Sequence, residues 1–314
     1  MQELETLHWK LEAGSVTPAI RNHRGTFDAR EQTLSVGQAL RQANARLRAV
    51  TDTPHLEAEV LLGHALKASR ASLLTHPERP LTPSQITDYQ ASIRRRASGY
   101  PLPYLTGRVE FYGLEFEVTP EVLIPRPETE TLVDLALARR PTTIVDVGAG
   151  SGCITVSLAV HLPQATVYAL DISPAALAVT QRNVEQHAVS ARVYAMVGDV
   201  LSPRPGPVDL IVSNPPYIPT GACASLPMSV RNYEPRLALD GGVDGLEIVR
   251  RLLAQAPAVL NPGGELLIEI GADQGEAASH LAHTFFPQAT IRVHPDLAGR
   301  DRVLEVLPHP EAWT

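Results

Sequence analysis

Cysteine is nearly missing from this 314-residue chain; Cys153 and Cys223 are the only two. Two cysteines so far apart build neither a disulfide framework nor a CxxC metal site. Lysine is as scarce, with Lys10 and Lys67 against 25 arginines, a skew that reads as gene base composition rather than chemistry. No run approaches the roughly 18–20 apolar residues needed to span a bilayer. Glu3, Glu5 and Lys10 stand where a signal peptide would need its apolar core. An excess of positive charge is also lacking, since 27 Lys and Arg face 34 Asp and Glu for a net −7. That balance argues against gripping nucleic acid by counterion release. The expectation is a soluble cytoplasmic protein, monomeric, with no membrane and no stable nucleic-acid partner. What is present is 44% hydrophobic residues, enough to exclude disorder of the whole chain and to build one large or two modest domains.

Residues 1–33 show weak periodicity and predict a loosely ordered extension, with one short helix near 7–11. From Ser35 the pattern turns helical, with Val36, Leu40, Ala43 and Leu47 at three- and four-residue spacing. Thr53-Pro54 offers a capping hydroxyl followed by a first-turn proline. Thr82-Pro83-Ser84-Gln85 has the form of a capping box. Residues 34–107 therefore predict a small all-helical domain. Glu110 to Val118, alternating and broken by Gly113, predict a β-hairpin linker within 108–124. Beyond it, strands are expected at 143–147, 166–170, 192–197, 209–213, 265–270, 290–293 and 303–307. Helices are expected at 153–161, 174–187, 246–259 and 274–285. This alternation predicts a second domain, 125–314, of α/β class: a mostly parallel sheet with helices on both faces and ligands beyond the carboxyl ends of the strands.

The chemistry-bearing residues fall at those ends. The first strand runs into Gly148-Ala149-Gly150-Ser151-Gly152, a loop that can turn sharply and approach a ligand closely. The second ends in Asp171, placed to accept hydrogen bonds from both hydroxyls of a ribose. The third ends in Asp199-Val200, where an acid can accept from an adenine amine. In series, these three ends favour an adenosine-bearing cofactor.

The fourth strand ends in Asn214-Pro215-Pro216-Tyr217. Two consecutive prolines fix the backbone and remove two donors. The Asn214 amide oxygen and the Pro215 carbonyl remain as acceptors, suited to a planar NH2 group. Tyr217 offers a flat face on which an amide or base could stack. An amide nitrogen or exocyclic amine is a poor nucleophile because its lone pair is delocalised. Acceptors on both N–H groups would aim that lone pair and favour the positive charge that develops on alkylation. A protein amide and the N6 amine of adenine in DNA or RNA satisfy this reading equally. No histidine pattern points to a metal.

The sequence resembles the HemK/PrmC family, the glutamine-N5 methyltransferases of bacterial peptide chain release factors, over about residues 35–307. Besides the Asn-Pro-Pro-Tyr tetrapeptide, the resemblance rests on Val122-Leu123-Ile124-Pro125-Arg126-Pro127-Glu128-Thr129-Glu130, on Tyr104-Leu105-Thr106-Gly107 and on Phe111-Tyr112-Gly113. It rests also on Tyr233-Glu234-Pro235, Gly241-Gly242-Val243-Asp244-Gly245-Leu246, Asn261-Pro262-Gly263-Gly264 and Asp296-Leu297-Ala298-Gly299-Arg300-Asp301-Arg302. It implies a class I methyltransferase (Rossmann-like) sheet of seven strands, the last antiparallel, behind a helical substrate-recognition domain. It implies S-adenosylmethionine as cofactor, S-adenosylhomocysteine as product, and the glutamine of a release factor's Gly-Gly-Gln motif as substrate. The loop 148–152 and Asp171 would hold the cofactor, and Asn214 would touch both cofactor and substrate amide.

The stretch 124–130 has its own physical reading. Two prolines stiffen a loop entering a helix near Pro127, and Glu128 and Glu130 suit its first turn. A sharper expectation is that this segment covers the cofactor.

Net charge divides unevenly, +3 over residues 1–107 and −10 over 108–314. The mildly basic helical half could steer an acidic protein partner, with Arg94, Arg95 and Arg96 as its one basic run.

Overall fold

The computed structural model describes residues 34–203 and 206–308. The extension expected over residues 1–33, with its short helix, lies outside the described residues. The chain opens with α1 (Val36–Leu47), α2 (Pro54–Leu66), α3 (Arg70–Thr75), α4 (Pro83–Ala97) and α5 (Leu102–Thr106). Ser35 and Gln38 close a capping box on α1, and Thr82 and Gln85 close another on α4. Thr53 does not cap α2. Its φ and ψ of −121° and 50° turn the hydroxyl away from the helix, and it pairs with the Thr51 hydroxyl at 3.4 Å. Pro54 at the first helical position sets the entry instead. Val36, Leu40, Leu47, Leu61, Leu62, Tyr89 and Ile93 form the bundle's core.

The arginine run at the end of α4 is not uniformly solvated. Arg94 and Arg95 are exposed, but Arg96 is buried and grips Glu57 with two hydrogen bonds, 2.6 and 3.0 Å long. Helical periodicity carries Tyr89, Ile93 and Arg96 inward at four- and three-residue spacing, so the third arginine falls on the buried face of α4.

Next comes the hairpin, β1 (Arg108–Phe111) and β2 (Leu114–Glu117). Tyr112 and Gly113 both adopt positive φ, 52° and 70°, the pattern of a type I′ turn. Tyr112 bears that strain because its N–H reaches Glu130 at 2.8 Å and its hydroxyl reaches Asp134 at 2.6 Å. Phe111 and Phe116 bury themselves among Leu132, Val133, Ala136 and Ile144, so the hairpin belongs to the core of the following sheet.

The remaining elements are α6 (Glu130–Arg139), β3 (Thr143–Val147), α7 (Cys153–His161), β4 (Thr166–Asp171), α8 (Pro174–Gln186), β5 (Val193–Val197), β6 (Val208–Ser213), α9 (Met228–Arg231), α10 (Glu247–Gln255), β7 (Leu260–Glu269), α11 (Gly275–Phe285), β8 (Thr290–Pro295) and β9 (Asp301–Leu307). One seven-stranded sheet runs in the order β5-β4-β3-β6-β7-β9-β8. Only β9 is antiparallel to its neighbours. One face packs on α6, α7 and α8, the other on α10 and α11. β7 starts earlier than expected because 261–264 is absorbed into the strand, with a register shift opposite Val208 and Leu210. The expected helix over 246–259 stops at Gln255, since Pro257 cannot donate a helical bond, and the chain finishes in a 3-10 turn, Ala256–Ala258. Strand order reverses between β3 and β6, which opens a crevice beyond their carboxyl ends. Among the described residues, no helix is long and apolar enough to cross a membrane.

Candidate active site

A cavity of about 410 Å³ occupies that crevice. Its floor is the loop after β3. Gly148, Gly150 and Gly152 all take positive φ, 77°, 57° and 78°. The N–H groups of Gly148 and Ala149 both donate to the Leu170 carbonyl, fastening the loop to the end of β4. Gly150 N–H donates to Asp171 Oδ2 at 2.9 Å, and Ser173 N–H donates to Oδ1 at 2.8 Å. Burial raises the Asp171 pKa, and these amides work against that rise. Each Asp171 oxygen keeps a lone pair for a ligand hydroxyl.

Gly148, Ala149, Gly150, Ser151, Asp171, Asp199, Val200, Asn214, Pro215 and Pro216 line the cavity. Gly152 and Tyr217, also expected at the site, are not among the lining residues. Gly152 begins α7, where a Cβ would lie 2.8 Å from Thr180 Cγ2, so its part is to let the loop pass α8. Asp146 stands behind the loop, fully buried, with Oδ2 accepting from the Thr155 N–H and hydroxyl and Oδ1 without a partner. Burial pushes its pKa up to about 7. Asp199 meets Arg251 of α10 at 2.6 Å. Val200 takes φ 56°, and the turn depends on Gly198, where a Cβ would lie 2.7 Å from the Ser202 carbonyl.

Asn214 follows β6. Its Nδ2 donates to the Thr129 hydroxyl at 3.1 Å, which leaves Oδ1 as an acceptor. Tyr217 turns its ring out of the cavity lining, and its hydroxyl donates to Glu269 Oε1 at 3.3 Å. Burial and the Glu269 charge push the Tyr217 phenol to about 12, so it stays a donor. The tetrapeptide's backbone is held from outside. Gln274 Nε2 donates to the Tyr217 carbonyl at 2.9 Å, and a Cβ at Gly241 would lie 2.6 Å from the Pro216 carbonyl.

The loop before α6 supplies another wall through Val122, Leu123, Pro125 and Thr129. The segment expected to cover a cofactor therefore borders the cavity, but Glu128 and Glu130 are not among its lining residues. Glu234 anchors this wall, accepting from Arg126 at 2.5 Å and from the Ile124 N–H at 3.3 Å. Its neighbours bind the helical bundle. The Tyr233 hydroxyl donates to the Ser98 carbonyl at 3.2 Å, its ring packs 4.9 Å from that of Tyr100, and Met228 lies against Gly99. Pro235, Leu237 and Ala238 return to the cavity rim. Thr129, Glu234, Leu237, Ile248 and Arg251 were not singled out as site residues by sequence reasoning. Thr129 and Glu234 did sit inside quoted motifs; the others carried no signal.

The walls are chiefly apolar, with the carboxylates of Asp171 and Asp199 among the lining residues and with Asn214 and Pro215 offering an amide oxygen and a backbone carbonyl as acceptors. Such a site accommodates an adenosine carrying a sulfonium, in a volume normal for a cofactor pocket. The fold and the site define a class I S-adenosylmethionine-dependent methyltransferase. The PrmC N-terminal domain family matches residues 38–107, and the Methyltransferase small domain family matches residues 127–225. Two relatives bear the name release factor glutamine methyltransferase. That of Moorella thermoacetica is 50% identical, covering 86% of this chain and 97% of its own. That of Geobacter sulfurreducens is 47% identical, covering 81% and 89%. A methyltransferase structure from Pyrococcus furiosus, 18% identical, superposes with a TM-score of 0.50 over 71% of this chain and 99% of its own, a likeness of fold. The chain belongs to the release factor glutamine methyltransferase family.

Proposed function

We propose that the protein transfers a methyl group from S-adenosylmethionine to the side-chain amide nitrogen of the glutamine in the Gly-Gly-Gln motif of peptide chain release factors. The observation that carries this reading is the Asn214 carboxamide, tethered by its nitrogen to Thr129 with its oxygen left over, in a cavity that Asn214 and Pro215 both line. An amide oxygen and a backbone carbonyl on neighbouring lining residues suit a primary amide with two hydrogens to donate. The names of the relatives point to the same substrate class.

In this reading the loop 148–151 and Asp171 hold the cofactor, with Asp199 and Val200 at its adenine end and Asn214 at its reacting end. Gly152 shapes the loop. When bound, the cofactor supplies an electrophilic methyl on sulfur and leaves as S-adenosylhomocysteine. Asn214 and Pro215 bind both amide hydrogens and so turn the nitrogen lone pair toward the cavity. They also stabilise the positive charge growing on that nitrogen. Pro216 stiffens this geometry, and Tyr217 anchors it through Glu269.

The test offers labelled cofactor to a release factor, to the same factor with Gln→Ala in its Gly-Gly-Gln motif, and to DNA. Label is expected on the intact factor alone; label on DNA alone would overturn the reading. Asn214→Ala should lower transfer about 100-fold or more while cofactor affinity, by calorimetry, changes far less.

A further inference from the structure

We infer that Arg251 is a positioning residue that sets specificity for the cofactor's base: it fixes the Asp199 carboxylate so that one oxygen is presented to the adenine amine, an inference that rests on the cofactor placement proposed above and not on the identity of the methyl acceptor.

Asp199 belongs to the turn after β5, and α10 holds that turn. Val249, Leu252 and Leu253 of α10 share a core cluster with Val200 and Leu201. Ile248, Arg251 and Gln255 follow at three- and four-residue spacing on one face of the helix. Ile248 and Arg251 line the cavity, and Gln255 Oε1 accepts from the Leu201 N–H at 3.2 Å. Arg251 Nη2 donates to Asp199 Oδ2 at 2.6 Å. Across the turn, the Asp199 N–H donates to the Ser202 carbonyl at 2.8 Å. Both parts of the acid are therefore fixed, its backbone by the turn and its side chain by the helix.

Without Arg251, this aspartate would read a base poorly. Its side chain is 51% exposed, and only a partner stops an exposed carboxylate from rotating. The Arg251 bond occupies Oδ2. Among the described residues, Oδ1 accepts no hydrogen bond, which leaves it for a donor in the cavity. Adenine presents such a donor in its exocyclic amine, and a purine with hydrogen at that position does not. The guanidinium also offsets charge. Among the described residues that line the cavity, Arg251 alone is a cation, beside Glu121, Asp171 and Asp199. A paired carboxylate gives up water to an uncharged base at less cost than a lone one. Exposed ion pairs contribute little to folding, so this pair matters chiefly through the oxygen it leaves over.

The experiment uses calorimetry, with no release factor present, to measure the Kd of S-adenosylhomocysteine and of its analogue with hydrogen in place of the adenine amine. The proteins are wild type, Arg251→Met, Asp199→Ala and the double variant, each with its melting temperature taken without ligand. Methionine keeps an unbranched apolar stem and removes the charge. Wild type should prefer S-adenosylhomocysteine by about 10-fold or more. Arg251→Met should shrink that preference to about 2-fold, chiefly by weakening S-adenosylhomocysteine, with the melting temperature nearly unchanged. Asp199→Ala should abolish the preference, and adding Arg251→Met to it should shift neither Kd by more than about 2-fold. Arg251→Met with the wild-type preference would overturn this role. So would an equal loss of affinity for both ligands, the mark of a residue that only shapes the pocket, or additive losses in the double variant. If wild type bound neither ligand, the cofactor placement itself would fall, and the role of Arg251 with it.

Discussion

At the scale of single residues, the site combines groups visible in the sequence with groups that are not. Asp171, the glycine loop and Asn214-Pro215-Pro216-Tyr217 were legible because each constrains its own backbone. Thr129 was not, because its partner lies 85 residues away and no local pattern marks the pair. Tyr217 shows the converse. Its residue type suggested a stacking face, but its hydroxyl lies on Glu269 and its ring stays out of the cavity lining. Asp146 yields a prediction of its own. Burial lifts its folded pKa to about 7, above the ordinary aspartate value of 3.8, so the fold favours the neutral acid. The stability this contributes is complete below about pH 4 and is lost as pH rises through about 7. Asp146→Asn should therefore gain on wild type between pH 5 and 8, by on the order of 1–3 kcal/mol. Urea unfolding at a series of pH values reads this directly, and parallel curves would contradict the assignment.

At the scale of elements, buried segments bounded by turn residues declare their ends, whereas very short helices leave no pattern to read. α7 and β3 have the expected bounds, because a buried strand and a largely apolar, buried helix stand out between their glycine and proline boundaries. α3 and α5 are one or two turns long, too short for periodicity to declare itself, and they are helical because the bundle closes around them. The wall from α9 to the Gly241 turn has almost no regular structure, and its course is set by contacts to the loop after β6, the loop before α6 and the bundle. Helix caps give a sharp comparison. Thr82→Ala removes a capping bond to Gln85 and should cost about 1 kcal/mol. Thr53→Ala removes no such bond and should cost much less. Chemical denaturation of the two variants checks the difference.

At the scale of the molecule, the described residues belong to one compact unit, with the hairpin sunk into the sheet's core and the bundle tied to it. The charge asymmetry between the halves survives in the structure, but its basic run splits in two. Arg96 is spent on Glu57, and the Arg95 guanidinium lies 4.0 Å above the Tyr100 ring. Changing all three arginines would confuse folding with docking. Arg94→Gln with Arg95→Gln keeps Arg96 and most of the aliphatic packing. This pair should slow association with a release factor a few-fold at low salt and flatten its salt dependence, leaving kcat at saturation unchanged. Stopped-flow binding across ionic strengths measures it, and an unchanged salt slope would leave these arginines out of recognition.

The strap from Met228 to Ala238 has a consequence for how such an enzyme can be rebuilt. It lies between β6 and α10, touches Ser98 and Gly99 of the bundle, braces Ile124 and Arg126 through Glu234, and ends on the cavity rim. The bundle is therefore not a cassette. A chimaera taking a foreign recognition domain at the hairpin would inherit a strap fitted to the old one. Grafts that carry the strap along with the bundle should couple, and those cut at the hairpin alone should not.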